Sequence, residues 1–153
     1  MGATLLTPEG YQKLQEELNY LRESKRKEVA DRLHEAMEGG ELIEDAEYEA
    51  AKNEQSFVEG RIQELETILA NARVIEMNSK HEVAQLGARV TIREDSGDPE
   101  EYIIVSSAEA NPREGKISIE SPIGRALIDH KAGDEIVIEA PGGSFTVHLL
   151  KVV

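Results

Sequence analysis

Two stretches of the sequence carry apolar side chains at spacings of three and four residues, and a pair of adjacent glycines separates them. Such spacing places the side chains on one face of an α-helix, here only as wide as the seam of a coiled coil. The first stripe comprises Tyr11, Leu14, Leu18, Leu21, Val29, Leu33, Ala36 and Met37, and the second comprises Ala46, Ala50, Phe57 or Val58, Ile62, Leu65, Leu69 and Ala72. Adjacent glycines destabilise a helix and accept positive φ, so Gly39-Gly40 predicts a turn. The chain is therefore expected to fold back as an antiparallel helical hairpin.

The predicted helices are long for a chain of 153 residues. Thr7-Pro8-Glu9 predicts the start of the first helix, with Thr7 as the N-cap, Pro8 at the first helical position and Glu9 in the first turn. About thirty residues per helix correspond to roughly 45 Å at 1.5 Å per residue. This length exceeds the diameter of a domain so small, and we expect the hairpin to project as a rod with its turn at the far tip.

The stretch from Gly39 to Lys52, which contains the predicted tip at residues 39–47, is strongly acidic. Lys52 is the only basic residue between positions 35 and 54, against eight acids: Glu35, Glu38, Glu41, Glu44, Asp45, Glu47, Glu49 and Glu54. The tip should therefore have a cationic target, such as metal ions or a protein partner. The alternative is a solvated turn, since exposed acidic turns are common.

The composition excludes several classes of function. The net charge of −14 argues against general nucleic-acid binding, because that affinity depends on Lys and Arg neutralising phosphates. The absence of cysteine excludes disulfides and thiolate metal sites, and the four histidines have no paired spacing for zinc. No apolar run is long enough to span a bilayer, and the amino terminus lacks the pattern of a signal peptide. We expect a cytoplasmic protein with no membrane partner.

A basic cluster lies in the first helix, set back from the acidic turn. It comprises Arg22, Lys25, Arg26, Lys27 and Arg32. These side chains could meet an anionic partner. Alternatively, they pair with Glu23, Glu28 and Asp31 as ordinary solvated partners on the same helix.

The second half of the chain has the pattern of a β-sheet. Short alternating runs predict strands at 89–92, 102–105, 116–119, 135–138 and 144–149, and Gly97-Asp98-Pro99 and Pro141-Gly142-Gly143 predict hairpin turns. Ser121 and Pro122 predict the start of a short helix. We therefore predict an α+β protein with a hairpin domain at 1–76 and a mostly antiparallel sheet domain at 77–153, the boundary lying between residues 74 and 84.

The motifs in both halves resemble those of one family. The sequence from Gly40 to Tyr48, with Ala50-Ala51-Lys52 and Gly60-Arg61-Ile62, is similar to the tip and descending helix of the GreA/GreB transcript cleavage factors. Family members carry Gly-Asp-Leu-x-Glu-Asn-Ala-Glu-Tyr at the tip. The stretch from Ser121 to Leu127 and Pro141-Gly142-Gly143 resemble motifs of the family's FKBP-like C-terminal domain. The resemblance covers essentially the whole chain.

The resemblance implies a function and a set of site residues. Gre factors insert their coiled coil into the secondary channel of a backtracked RNA polymerase, which then cleaves its own nascent RNA. Glu41 and Glu44 would be the metal-directed acids at the Mg²⁺ site of the polymerase, with Asp45 and Tyr48 in support. A second set would contact RNA or polymerase: Lys25, Arg26, Lys27, Arg32, Lys52, Ser121, Pro122 and Ile123. The factor would need no cofactor of its own, and we expect a monomer.

The tip also departs from the family pattern. Glu41 stands where the family has Asp, Asp45 where it has Asn, and Met37 where GreA often has a basic residue. The protein is therefore expected either to stimulate cleavage or, like the inhibitory paralogues, to block the channel; an adaptor that binds another protein is a further alternative. Prolyl isomerase activity is not expected, because the aromatic-lined pocket it requires would have only Tyr102 and Phe145.

Overall fold

The computed structural model describes residues 3–38, 46–77 and 80–153, and the contacts divide the chain into two units. One unit is Tyr11–Asn71, and the other combines Met1–Gly10 with Ala72–Val153. The elements in chain order are β1 (Thr4–Leu6), α1 (Pro8–Tyr20), a π-helical turn (Leu21–Lys25), α2 (Arg26–Glu38), α3 (Ala46–Ala70), β2 (Ala72–Val74), β3 (Arg89–Glu94), β4 (Glu100–Val105), a 3₁₀ turn (Pro112–Glu114), β5 (Lys116–Ser118), α4 (Pro122–Leu127), β6 (Glu135–Ala140) and β7 (Gly143–Val152). The predicted α+β class is confirmed. None of the helices in the described ranges is long and apolar enough to cross a membrane.

The helical unit is an antiparallel hairpin, as predicted. Its cross-helix ion pairs have residue numbers that rise along the first arm and fall along α3: Arg22–Glu66, Arg26–Glu59 and Arg32–Glu54. The first arm is α1, the π-helical turn and α2, and the second arm is α3. The buried seam consists of Leu14, Leu18, Leu21, Val29 and Ala36 on the first arm and Ala51, Val58, Ile62 and Leu65 on the second.

The seam differs from the predicted stripe at several positions. Val58 is 3% exposed whereas Phe57 is 74% exposed, and Ala51 is buried in place of Ala50. Counting back four and eleven residues from Ile62, at coiled-coil spacing, reaches Val58 and Ala51, so their neighbours in sequence lie beside the seam. Tyr11, Met37 and Ala46, also predicted to lie in the stripes, are exposed.

The π-helical turn explains how the first arm keeps its seam. Leu21 and Val29 are eight residues apart, one more than a heptad, yet both are buried. The backbone N–H of Arg26 donates to the carbonyl oxygen of Leu21, a bond to the fifth residue back. This wider turn absorbs the extra residue, so Val29 returns to the face on which Leu21 lies.

The start of α1 is capped as the sequence predicts. The Thr7 hydroxyl oxygen accepts a hydrogen bond from the Gly10 N–H at 2.9 Å, which makes Thr7 the N-cap. A partner distant in sequence extends the cap, because Thr7 donates from its N–H and its hydroxyl to the Glu109 carboxylate at 2.7 and 2.5 Å. A Cβ on Gly10 would overlap that carboxylate. Glycine at position 10 therefore leaves the room that the cap requires.

A short parallel pair of strands, β1 and β2, precedes and follows the helices in the chain. Leu6 is fully buried, and its carbonyl oxygen accepts from the Ile75 N–H at 2.8 Å. The sequence does not predict this pair, and Ala72, expected at the end of the second helical stripe, lies in β2. The contacts group both strands with the sheet unit. The division at residue 76 stays a prediction.

Five strands form the sheet of the second unit in the order β5-β4-β3-β7-β6. All neighbours are antiparallel except β4 and β5, which are parallel. The predicted turns are confirmed: residues 97–99 lie between paired strands β3 and β4, and Pro141-Gly142 connects the Ala140–Gly143 pair of β6 and β7. The core consists of Ala84, Val90, Ile92, Ile104, Ile117, Leu127, Ile136, Ile138, Val147 and Leu149.

Candidate functional site

Three predicted tip acids, Glu41, Glu44 and Asp45, lie outside the described residues, and the metal-directed role assigned to the first two stays a prediction. The described chain shows what flanks them in sequence. α2 ends at Glu38, and α3 begins at Ala46. Tyr48 is half-buried in the first turn of α3, and Lys52 is exposed one turn later. The flanking acids Glu35, Glu38, Glu47 and Glu49 are all exposed.

A groove of about 360 Å³ lies between α2 and α3 next to these flanks. It is lined by Arg32, Glu35, Ala36, Glu47, Ala50 and Ala51. Alanine side chains are too short to fill the space between the helices, so the groove stays open and its rim is charged. Across residues 3–38, 46–77 and 80–153, no group of three histidine or acidic side chains is arranged to hold a metal ion.

Four members of the basic cluster pair with acids of α3. The pairs are Arg22–Glu66 at 2.9 Å, Lys25–Glu54 at 2.8 Å, Arg26–Glu59 through two bonds of 2.9 Å, and Arg32–Glu54. Of the same-helix partners that the sequence suggested, only Glu28 pairs within the described chain, with Lys25 at 3.6 Å. Lys27 is exposed and has no ion pair there. The cluster therefore joins the two arms of the hairpin.

Hydrogen bonds shift the pKa of four of these groups, Glu54, Lys25, Arg32 and Arg26, toward the charged form. Hydrogen bonds from Lys25 and then Arg32 hold the pKa of the Glu54 carboxyl below its usual value. The same bonds raise the pKa of Lys25 and of Arg32, and the bond to Glu59 raises the pKa of Arg26. All these groups are consequently charged at neutral pH. Five hairpin residues were predicted to contact RNA or polymerase, and three of them, Lys25, Arg26 and Arg32, form ion pairs with α3. The other two, Lys27 and Lys52, have no ion pair among the described residues.

The Gly60-Arg61-Ile62 motif joins α3 to α1, further along the chain from residues 39–45 than the basic cluster's pairs with Glu54 and Glu59. Arg61 donates to both carboxylate oxygens of Glu17 at 2.7 and 2.9 Å and to Glu64 at 2.5 Å. The bonds to Glu17 are the main cause of the raised pKa of Arg61. Ile62 is 1% exposed in the seam. This motif therefore contributes a clamp between α1 and α3, which the sequence alone does not reveal because the partner lies 44 positions away.

The predicted docking segment Ser121-Pro122-Ile123 forms the start of α4. The Ser121 hydroxyl accepts from the Gly124 N–H at 3.0 Å and donates to the Ser118 carbonyl oxygen at 2.7 Å, which confirms Ser121 as the N-cap and ties it to β5. Gly124 is buried, and a Cβ there would overlap the Ser118 carbonyl oxygen. Glycine at position 124 therefore allows α4 to lie against β5.

The docking segment borders an apolar groove of about 410 Å³. Ile117, Pro122, Ile123, Tyr102 and Phe145 line it, together with Pro112. The Tyr102 hydroxyl donates to Glu100 at 2.5 Å, and this bond, with partial burial, raises the pKa of Tyr102 to about 12. Tyr102 is therefore a neutral phenol at physiological pH. The groove joins residues from β4, the 3₁₀ turn, β5, α4 and β7, so no local pattern predicts it.

Both halves of the chain match models of one protein family. Residues 4–74 match the family model for the N-terminal region of a transcription elongation factor, and residues 79–153 match the model for the C-terminal region of GreA/GreB transcription elongation factors. The two matches cover the helical hairpin and the sheet in the observed order. The fold and the sequence thus define a transcription elongation factor.

Individual relatives are similar in sequence to this chain over almost its whole length. The chain is 47% identical to the transcription elongation factor GreA of Bacillus subtilis, covering 96% of this chain and 94% of that protein. It is 47% identical to GreA of Thermoanaerobacter pseudethanolicus, covering 97% and 96%. A solved structure of the transcription factor Gfh1 is 36% identical, covers 99% of both chains and has a TM-score of 0.50. The chain belongs to the GreA/GreB family.

Proposed function

We propose that this protein binds RNA polymerase, enters the secondary channel with its hairpin and stimulates cleavage of backtracked nascent RNA by the polymerase. The observation that carries the proposal is the match to GreA proteins across both units, together with acids at the two motif positions, Glu41 and Glu44. The factor acts in the cytoplasm as a monomer. It supplies side chains to the active site of the polymerase and is not an enzyme by itself.

The chemistry of the tip suits hydrolysis by two metal ions. Such sites hold ions about 4 Å apart, and Mg²⁺ is commonly bound by only one or two carboxylates together with water and phosphate oxygens. Glu41 and Glu44 would donate those carboxylates, and the Mg²⁺ would come from the polymerase site. Asp45 and Tyr48 would support them.

The remaining contacts divide between the two units. The segment Ser121-Pro122-Ile123 would dock on the polymerase, with the side chain of Ile123 at the edge of the apolar groove. Lys27 and Lys52 are the better placed of the basic residues to meet RNA near its 3′ end, because neither charge is paired within the described chain. Lys25, Arg26 and Arg32 would contact RNA or polymerase only while also holding α3.

A cleavage assay on a backtracked elongation complex with the cognate polymerase tests this function. Glu44→Gln keeps the shape of the side chain and removes its charge, so stimulated cleavage should be abolished while polymerase binding persists. Glu41→Asp restores the family residue and should maintain or raise the rate. Glu49→Gln, an equal change of charge at an exposed position of α3, is the matched control and should retain activity. Full stimulation by Glu44→Gln, or loss of stimulation in Glu49→Gln, would contradict the assignment.

A second candidate function is inhibition of the polymerase from the same channel. It is favoured by the three departures at Met37, Glu41 and Asp45. A Glu in place of Asp moves the carboxylate outward by about one carbon–carbon bond, and errors near 1 Å can cost about a hundredfold in rate. The extra χ angle of Glu lets the carboxylate fold back, which favours stimulation. A wild-type protein that slows intrinsic cleavage at saturating Mg²⁺ would establish the inhibitor.

A further inference from the structure

The hairpin is thinly packed at the end of its arms that leads to residues 39–45. Leu21 and Val29 pack against α3 further back, but in the last described turns the buried seam residues are alanines, Ala36 and Ala51. The open groove lies at the same place. The hydrophobic contribution to the free energy of packing scales with the apolar area that is buried. The methyl groups of Ala36 and Ala51 therefore contribute far less to packing at this end than leucine or valine side chains would.

Glu54 supplies a polar connection just behind this alanine layer. Its carboxylate bonds to Lys25, at the end of the π-helical turn, and to Arg32, in α2. Its side chain is 30% exposed and that of Lys25 is 26% exposed, so the Lys25–Glu54 pair is partly shielded from water. In the described part of the chain, Arg32–Glu54 is the cross-helix ion pair closest in sequence to residues 39–45.

We propose that Glu54 is a positioning residue for the tip, a role that rests on the proposed function. One carboxylate holds two cations that are seven positions apart on the first arm, so it fixes the lateral position of α3 over about two helical turns. The two buried alanines beyond it, Ala36 and Ala51, each contribute only a methyl group to the seam. Without Glu54, the last turns of α2 and the first turns of α3 separate more often, and the tip acids spend less time where the polymerase needs them.

Hydrogen exchange on the isolated protein tests the structural step. Glu54→Gln should speed exchange of the helix-bonded backbone amides of residues 50–53 by about fivefold, the change in a local opening equilibrium expected from loss of an ion pair at the upper end of the usual range. Amides of residues 62–66, in the leucine and isoleucine part of the seam, should exchange as in wild type. Glu59→Gln is the matched control, because it removes the charge of the two-bond partner of Arg26 further from the tip.

The cleavage assay tests the positioning role. Glu54→Gln should lower the maximal stimulated rate at saturating factor by about fivefold while polymerase binding changes less than twofold, and Glu59→Gln should do neither. Ala50 lines the groove and is exposed, so Ala50→Leu adds apolar contact there without entering the buried seam. In the Glu54→Gln background this substitution should restore both slow exchange and cleavage.

The hydrogen-exchange and cleavage results together show whether Glu54 positions the tip. Unchanged exchange at residues 50–53 in Glu54→Gln, or an equal acceleration there in Glu59→Gln, would overturn the inference. Wild-type stimulation with full activity of Glu54→Gln would overturn the positioning role and leave the proposed function standing. Failure of wild type to stimulate would overturn the proposed function, and with it the positioning role. Faster exchange and slower cleavage in Glu54→Gln alone, both reversed by Ala50→Leu, would support the inference.

Discussion

Replacing Gly124 by alanine should destabilise the protein, although alanine normally stabilises a helix. The new Cβ would overlap the Ser118 carbonyl oxygen and come within 2.9 Å of the Ser118 carbonyl carbon and 3.1 Å of the Ile119 Cα. These are backbone atoms, so α4 itself must move away from β5. Overpacking costs about 1–3 kcal/mol, and an overlap with backbone atoms belongs in the upper part of that range, about 2–3 kcal/mol; the higher helix propensity of alanine returns about 1 kcal/mol, which leaves a net loss of about 1–2 kcal/mol.

Urea unfolding followed by circular dichroism measures this loss, with Gly60→Ala as the control. Gly60 is an exposed residue within α3, and no atom lies within 4 Å of a Cβ built there. The control should therefore gain about 0.5–1 kcal/mol in unfolding free energy. The two glycine-to-alanine changes are chemically identical, so opposite signs would reflect the backbone of Ser118 and Ile119 that lies against Gly124 and has no counterpart at Gly60.

The same substitution tests how the docking segment is positioned. Gly124 directly follows Ser121-Pro122-Ile123, and its N–H donates to the Ser121 hydroxyl that caps α4. Displacement of α4 should weaken polymerase binding, whereas Gly60→Ala should leave it unchanged. A Gly124→Ala protein as stable as wild type would refute the assignment of a tight contact between α4 and β5.

Three further predictions concern single side chains. Thr7→Val removes the N-cap hydroxyl and its bond to the Glu109 carboxylate but keeps the backbone N–H that also donates to Glu109, and it should cost about 2 kcal/mol in urea unfolding. Ile123→Ala should weaken polymerase binding by about 2 kcal/mol, roughly thirtyfold in a competition assay. Hydrogen bonds from Lys25 and Arg32 lower the folded-state pKa of Glu54, so its stabilisation is complete above the unfolded-state pKa and is lost as pH falls through the folded-state pKa. Glu54→Gln should remove this part of the acid sensitivity of the unfolding free energy.

The features that the sequence predicts correctly depend on neighbours in the chain. The Thr7 and Ser121 caps each bond an amide three residues ahead, within reach of a local pattern. Glu109, the second partner of Thr7, lies 102 positions away, and nothing near either residue indicates the contact. Local rules therefore find the cap but not the carboxylate that completes it.

The buried residues of the helical seam could be predicted more accurately from the sequence by heptad counting than by apolar spacing alone. Ile62 and Leu65 set the phase of the second stripe, and heptad counting from them selects Val58 over Phe57. The interval of eight residues from Leu21 to Val29 indicates an extra residue, which the π-helical turn accommodates. The sequence contains both signals, but a spacing of three or four residues alone neither distinguishes Val58 from Phe57 nor indicates the π-helical turn.

The partners of the basic cluster could not be predicted from spacing along one helix. A same-helix rule points to acids three or four positions away, whereas Arg26 and Arg32 bond Glu59 and Glu54 on the opposite arm. Which acids lie opposite depends on the register of the hairpin. Register in turn depends on the packed seam, a property of both arms together.

The rate of RNA 3′-fragment release from a backtracked complex of the cognate polymerase tests the central claim most directly. It is measured at saturating Mg²⁺, with and without the wild-type protein at a concentration that saturates the polymerase. We expect the wild-type protein to raise the single-turnover rate and Glu44→Gln, bound equally well, to return it to the intrinsic value. A wild-type protein that binds the polymerase and leaves the rate unchanged, or lowers it, would contradict the account.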